Sequence, residues 1–271
     1  MPLRDDDIEF GRAVELLDAG DAKGLRLYLA EHPDLARRRG GFEGFAYFRN
    51  PALLQFVAEN PIRNGTLPAN IVEVAKTILD AGARTDQDAL DQTLALVCSG
   101  CVPRQCGVQI PLIRLLCDYG ADREPAMRTA LPHGEFEAAN ELLRLGARLG
   151  LPAAAALGLS EDARRLLPAA TDEERHQALA LAAQFGRTAI VGLLLDAGED
   201  PSRYNPAGFH GHSTPLHQAA LAGHFDVVRL LAERGARRDL KDRVFEGTPR
   251  GWAIHGGHGE IAAYLDQPTN P

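Results

Sequence analysis

The chain has 271 residues, 45% of them hydrophobic and 24% charged, with a formal net charge of −8 at pH 7. This is the composition of a folded protein, long enough for one elongated array or about two compact domains, and its acidic balance disfavours general binding to nucleic acid phosphate. No apolar run is long enough to span a bilayer, and MPLRDDDIEF lacks the basic flank and apolar stretch of a secretory leader. Four cysteines in such a length do not suggest a disulfide framework, so a soluble cytoplasmic protein is expected.

Taken in chain order, residues 10–35, FGRAVELLDAGDAKGLRLYLAEHPDL, read as a first unit, followed by the arginine-rich and aromatic connection 36–51. IVEVAKTILDAGA, IPLIRLLCDYGA and EFEAANELLRLGA then each carry an apolar helical stripe running into a stop glycine. Long turns at 59–70 and 99–108 split the helices of two consecutive units, where about two to four residues are usual. Residues 157–170 form a degenerate unit, and 179–200, LALAAQFGRTAIVGLLLDAGED, a regular one. In TPLHQAALAGHFDVVRLLAERGA (214–236), Thr214 caps a helix and Pro215 suits its first turn. Leu216, Ala219 and Ala220 give that helix an apolar face, and Gly223 ends it in the left-handed conformation. Val227, Val228, Leu230 and Leu231 form the stripe of the next helix, which stops at Gly235. Thr248-Pro249 opens a matching segment that ends near Leu265. The stop glycines Gly82, Gly120, Gly146, Gly198 and Gly235 are spaced 38, 26, 52 and 37 residues apart, and the widest gap divides if 157–170 is a unit of its own.

The T-P-L-H-x-A start and this period resemble the ankyrin repeat. The likeness is most specific over 214–236 and good over 179–200 and 248–265; residues 10–170 follow the pattern more loosely and resemble bacterial ankyrin-repeat proteins. The resemblance implies an all-α solenoid of stacked antiparallel helix pairs with short β-hairpin links, partly irregular over 87–172. It implies one domain over 1–271 with about eight units, residues 1–49 capping the N-terminus and 245–271 the C-terminus. Arg250-Gly251 and Pro125-Ala126-Met127-Arg128 depart from the signature. The first departure points to an exposed last unit. The short units over 124–170 predict an interrupted row of hairpins.

A stack of this kind buries its periodic residues and leaves recognition to the connections. Aromatic residues on scaffolded loops have the composition of protein-binding hot spots, which makes Phe45, Tyr47, Phe48, Tyr204, Phe209, His210, Phe245 and Trp252 the candidate partner contacts. For any single loop aromatic the alternative is a plug that folds back onto its own unit. The two long inner turns are expected side by side, either as simple spacers or as a lobe holding Arg63, Asn64, Arg104 and Gln105.

Cys98-Ser-Gly-Cys101 has the spacing that lets two thiolates grip zinc, but Cys106 and Cys117 do not form a second such pair, so ordinary buried or loop thiols are the better reading. His210, His212 and His255 can be drawn together only without a visible orienting shell. No nucleophile–base pair, phosphate loop or carboxylate pair stands in a recognisable arrangement. The expectation is therefore a non-catalytic scaffold, monomeric and free of cofactor and metal, that binds another protein through its concave face and inter-repeat hairpins. The alternative is a small-molecule binder or enzyme with a pocket built from residues 42–48 and the two inner turns. Delivery into a host cell occurs among ankyrin-repeat proteins, but nothing in this sequence marks export.

Overall fold

The computed structural model describes residues 8–40, 48 and 50–267, arranged in two compact units, Met1–Arg148 and Leu149–Pro271. In the first unit, α1 (Ile8–Asp18) pairs with α2 (Ala22–Glu31), and the 3-10 turn Leu53–Ala58 pairs with α3 (Ile71–Asp80). α4 (Gln87–Ser99) pairs with α6 (Gln109–Asp118) across the short α5 (Cys101–Gln105), and α7 (Arg123–Ala130) pairs with α8 (Phe136–Arg144). Two layers result: α1, the 3-10 turn, α4 and α7 pack in succession, as do α2, α3, α6 and α8.

The second unit repeats the plan with α9 (Leu151–Leu157) and α10 (Ser160–Leu166), α11 (Asp172–Gln184) and α12 (Thr188–Asp196). α13 (Pro215–Leu221) with α14 (Phe225–Glu233), and α15 (Pro249–His255) with α16 (Gly259–Asp266), complete it. Alanine-rich faces allow the first-layer helices α9, α11, α13 and α15 to pack closely; Ala154, Ala155, Ala182, Ala183, Ala219, Ala220 and Ala253 are all fully buried. α10, α12 and α14 pack behind them.

One hydrogen bond recurs at each step of the second unit. The residue after the turn glycine reaches back to a carbonyl of the preceding first-layer helix or its end: Arg187 Nε to Ala156 O at 3.1 Å, His224 Nε2 to Gln184 O at 3.0 Å, and His258 Nε2 to Leu221 O at 3.0 Å. These bonds satisfy carbonyls that a helix C-terminus otherwise leaves open. Burial lowers the pKa of His224, so its imidazole is held neutral.

The expected β-hairpin links take another form. Among the described residues the connections contain no strand and only one isolated bridge, Arg39 with Ala52. The links at 201–214 and 237–248 are reversing loops, closed by single bonds from Asn205 N–H to Ser213 O and from Asp242 N–H to Gly247 O, both 2.8 Å. Side chains fix these loops, as the Asp242 loop shows below, so a longer ladder is not required. Residues 167–169 link α10 to α11 through a single 3-10 turn, which leaves no chain for a hairpin there. Arg250 is exposed and pairs with Asp266 at 3.0 Å.

Candidate functional site

The loop LKDRVFEGT is organised by one carboxylate. Asp242 Oδ1 accepts the backbone N–H of Val244 (2.9 Å) and Phe245 (2.6 Å), while Oδ2 accepts the backbone N–H of Gly247 (2.8 Å) and the indole N–H of Trp252 (3.0 Å). Burial alone would raise the carboxyl; the bonds from Phe245, Val244, Trp252 and Gly247 outweigh it and hold the pKa at about 2. Gly247 lies close beside the ring: a Cβ there would stand 3.0 Å from Trp252 Cδ1 and Nε1, tighter than ordinary contact. The Gly247 carbonyl in turn accepts from His217 Nε2 (3.1 Å), and Nδ1 of the same ring engages Thr214 N–H and Oγ1 (3.2 and 2.8 Å). The signature histidine therefore joins the start of α13 to the following loop. Burial depresses its pKa, leaving it uncharged.

With the loop fixed, its apolar tip faces outward. Phe245 is 74% exposed, and its neighbour in the chain, Val244, is exposed as well; so is Ile254 on α15. Trp252 lies half-buried on α15, 5.2 Å from the His217 ring and 5.7 Å from that of His212, which is itself 6.2 Å from Phe245. Leu221, Phe245, Gly247, Gly251, Trp252 and His255 line a groove of about 450 Å³ with chiefly apolar walls. Its walls are large, rigid rings with little rotamer freedom to lose.

The candidate contacts divide. Phe245 and Trp252 form the groove. Tyr204 is not part of its lining; it braces the loop before α15, donating its hydroxyl to Lys241 O (2.6 Å) and carrying the Arg243 guanidinium 3.9 Å above its ring. His210 is half-buried with φ 60°, its ring 6.3 Å from that of His212. Phe209 and Phe48, expected among the contacts, are instead buried. Phe48 packs on Phe56 at 5.3 Å, which packs on Phe10 at 5.9 Å, so the ring plugs its own loop onto the first unit. Phe45 and Tyr47 lie outside the described residues.

The two inner turns do meet, with Thr66 Oγ1 4.0 Å from Cys106 Sγ and Asn60 Nδ2 donating to Leu96 O and Ser99 Oγ. Their polar groups mostly brace one another. Buried Glu59 accepts backbone N–H groups from Arg63, Asn64 and Gly65 and pairs with Arg63, whose guanidinium also grips Asp18 at 2.7 and 3.0 Å. Arg104 pairs with buried Glu135 at 3.0 Å, and Gln109 Nε2 donates to the same carboxylate. A cleft of about 380 Å³ opens between these turns and His133. Asn64 and Gln105 are exposed. Cys98 and Cys117 are core residues of α4 and α6 whose thiols burial pushes up, whereas Cys101 and Cys106 are half-buried. Among the described residues no three His, Cys, Asp or Glu side chains converge on a metal-sized space, and no helix is long and apolar enough to cross a membrane.

Asp242, Leu221, Val244 and Ile254 do not stand out in the sequence. The signal for Asp242 is an aspartate five residues before a glycine at a Thr-Pro helix start, where an Asx turn is favoured.

Comparison with known proteins gives a consistent picture. The model for ankyrin repeats in three copies matches residues 151–244 and 179–268. Cyclin-dependent kinase 4 inhibitor B of Homo sapiens is 34% identical over 128 residues, covering 46% of this chain and 90% of the relative. Ankyrin repeat and SAM domain-containing protein 6 of Mus musculus is 35% identical over 98 residues, 36% of this chain and 11% of that protein. Probable E3 ubiquitin-protein ligase XBOS33 of Oryza sativa subsp. japonica is 34% identical over 110 residues, 40% of this chain and 18% of the ligase.

Proposed function

Because the chain belongs to the ankyrin-repeat family, we propose that it is a non-catalytic scaffold that binds another protein. The contact is made by the groove beside Trp252 and by the loop tips that flank it, including Tyr204, His210 and Phe245. The observation that carries this reading is the solvent-facing Phe245 on a loop locked by four hydrogen bonds to one carboxylate. A large exposed ring on a rigid support loses little freedom on docking and gains apolar burial. The relatives carry names as different as a kinase inhibitor and a ubiquitin ligase, so the repeat scaffold is what they share, and the partner is not carried over.

A small-molecule site in the cleft of the first unit has less support. Arg104, Glu135, Gln109 and Asn60 already bond to one another or to backbone, so few polar groups converge on a would-be ligand.

Site-specific photocrosslinking tests the proposal. A photoreactive phenylalanine at position 245 should yield a discrete adduct with one protein in the native cell, whereas the same group at Leu27, exposed on α2, should not. Equal labelling from both positions, or none from position 245, would overturn the assignment.

A further inference from the structure

The charges around the groove are unevenly paired. Lys241 faces Glu246 at 4.0 Å and Arg250 meets Asp266 at 3.0 Å. Arg243 has no carboxylate within 4.0 Å among the described residues, although the protein as a whole is strongly acidic. Its guanidinium lies over the Tyr204 ring with 3.9 Å to the centroid. Stacking engages the face of the guanidinium and leaves its in-plane N–H donors available. The Arg243 backbone is fixed by an N–H bond to His212 O at 2.8 Å, and the His212 ring packs near both Phe245 and Trp252. A positioned fork of donors thus stands on the loop that carries Phe245, two residues before that ring.

We propose that this groove takes a partner segment in which a large apolar side chain is accompanied, within about four residues at ~3.3 Å per extended residue, by an aspartate or glutamate. The apolar side chain packs on Phe245, Trp252 and Leu221, and the carboxylate is held by Arg243. This inference rests on the scaffold reading above and specifies the chemistry of its partner. Planar, two-pronged recognition of carboxylate is what a pre-stacked arginine does best. Because the surrounding protein is acidic, the attraction is local and short-ranged, and it weakens with salt.

The test is selection of short random peptides displayed on phage against the full chain, followed by affinity measurements with the synthesised peptides. The enriched sequences should pair Phe, Leu, Ile or Trp with a nearby Asp or Glu. Phe245→Ala should weaken them at least about tenfold, and Arg243→Gln about three- to tenfold. Replacing the peptide carboxylate by its amide should abolish the further effect of Arg243→Gln. Thermal unfolding of both variants should match the parent. If binding falls with Phe245→Ala but is indifferent to Arg243→Gln, or if neutral or basic peptides are enriched, the carboxylate assignment is wrong and the scaffold reading stands. Peptides insensitive to Phe245→Ala would remove both. Failure to enrich any sequence would overturn the claim that the groove takes a short segment.

Discussion

Asp242 fixes the loop of the groove without lining it. Asp242→Asn keeps the shape but turns an acceptor into an amide donor facing the N–H of Gly247 or Trp252. The loss of charge-assisted bonds and the donor–donor conflict should cost about 2–3 kcal/mol, read as a lower denaturant midpoint. The sign with pH follows from the depressed carboxyl. Its stabilising contribution is complete above the ordinary aspartate value of 3.8 and fades as pH falls toward about 2. The stability gap between parent and Asp242→Asn should therefore be constant near neutrality and close through that acid window. Elsewhere, Arg63→Ala should destabilise by about 3 kcal/mol in the same assay, because it leaves the Glu59 carboxylate buried without its counter-charge. At this scale the sequence was hardest to read. Phe48, Phe209 and Phe245 all stand in loops, and only packing separates the two plugs from the exposed tip. An aspartate in a loop is equally ambiguous until the donors that surround it are in place.

The helix pairs were far more legible, since their periods and stops are local. Thr214, Pro215 and Gly223 mark the bounds of α13 almost as the structure has them. The 3-10 turn at Leu53–Ala58 and the short α5 leave no such mark in the sequence, because neither has the length to establish a period. The stop glycines are not equivalent. Gly235 has φ 88° and open space around a would-be Cβ, so Gly235→Ala should cost only the backbone strain, about 1 kcal/mol. Gly223 has φ 79°, and its Cβ would lie 2.5 Å from His258 Cε1. Gly223→Ala must also displace the imidazole from the Leu221 carbonyl, and a total of about 3 kcal/mol is expected. Parallel thermal melts that rank the two substitutions the other way would contradict the stepwise bonding between neighbours. Acid should weaken those steps as well. With the His224 pKa depressed by burial, its contribution is present above the ordinary histidine value of 6.5 and is lost as pH falls below it.

For the molecule, neighbour-only packing means that stability is a sum over joints. Truncation after Asp239 removes α15 and α16 and uncovers α13 with its buried Leu216, Ala219 and Ala220. On the order of 5 kcal/mol of apolar burial and hydrogen bonding should go with them, and circular dichroism should show a much earlier melt. We propose that all the helix pairs form a single ankyrin-repeat domain with the segments 1–49 and 245–271 as its caps; in that case the earlier melt should stay a single transition.

The groove is lined by α15, the loop before it and Leu221 of α13, and its shape is settled before anything docks. A carboxylate that gathers four donors has already taken the conformational disorder out of residues 242–247 during folding. Calorimetry on a captured ligand should therefore record a heat-capacity change set by contact area alone, without the excess that accompanies a segment condensing on its target. Variation in affinity among ligands should then appear in how long they stay rather than how fast they arrive.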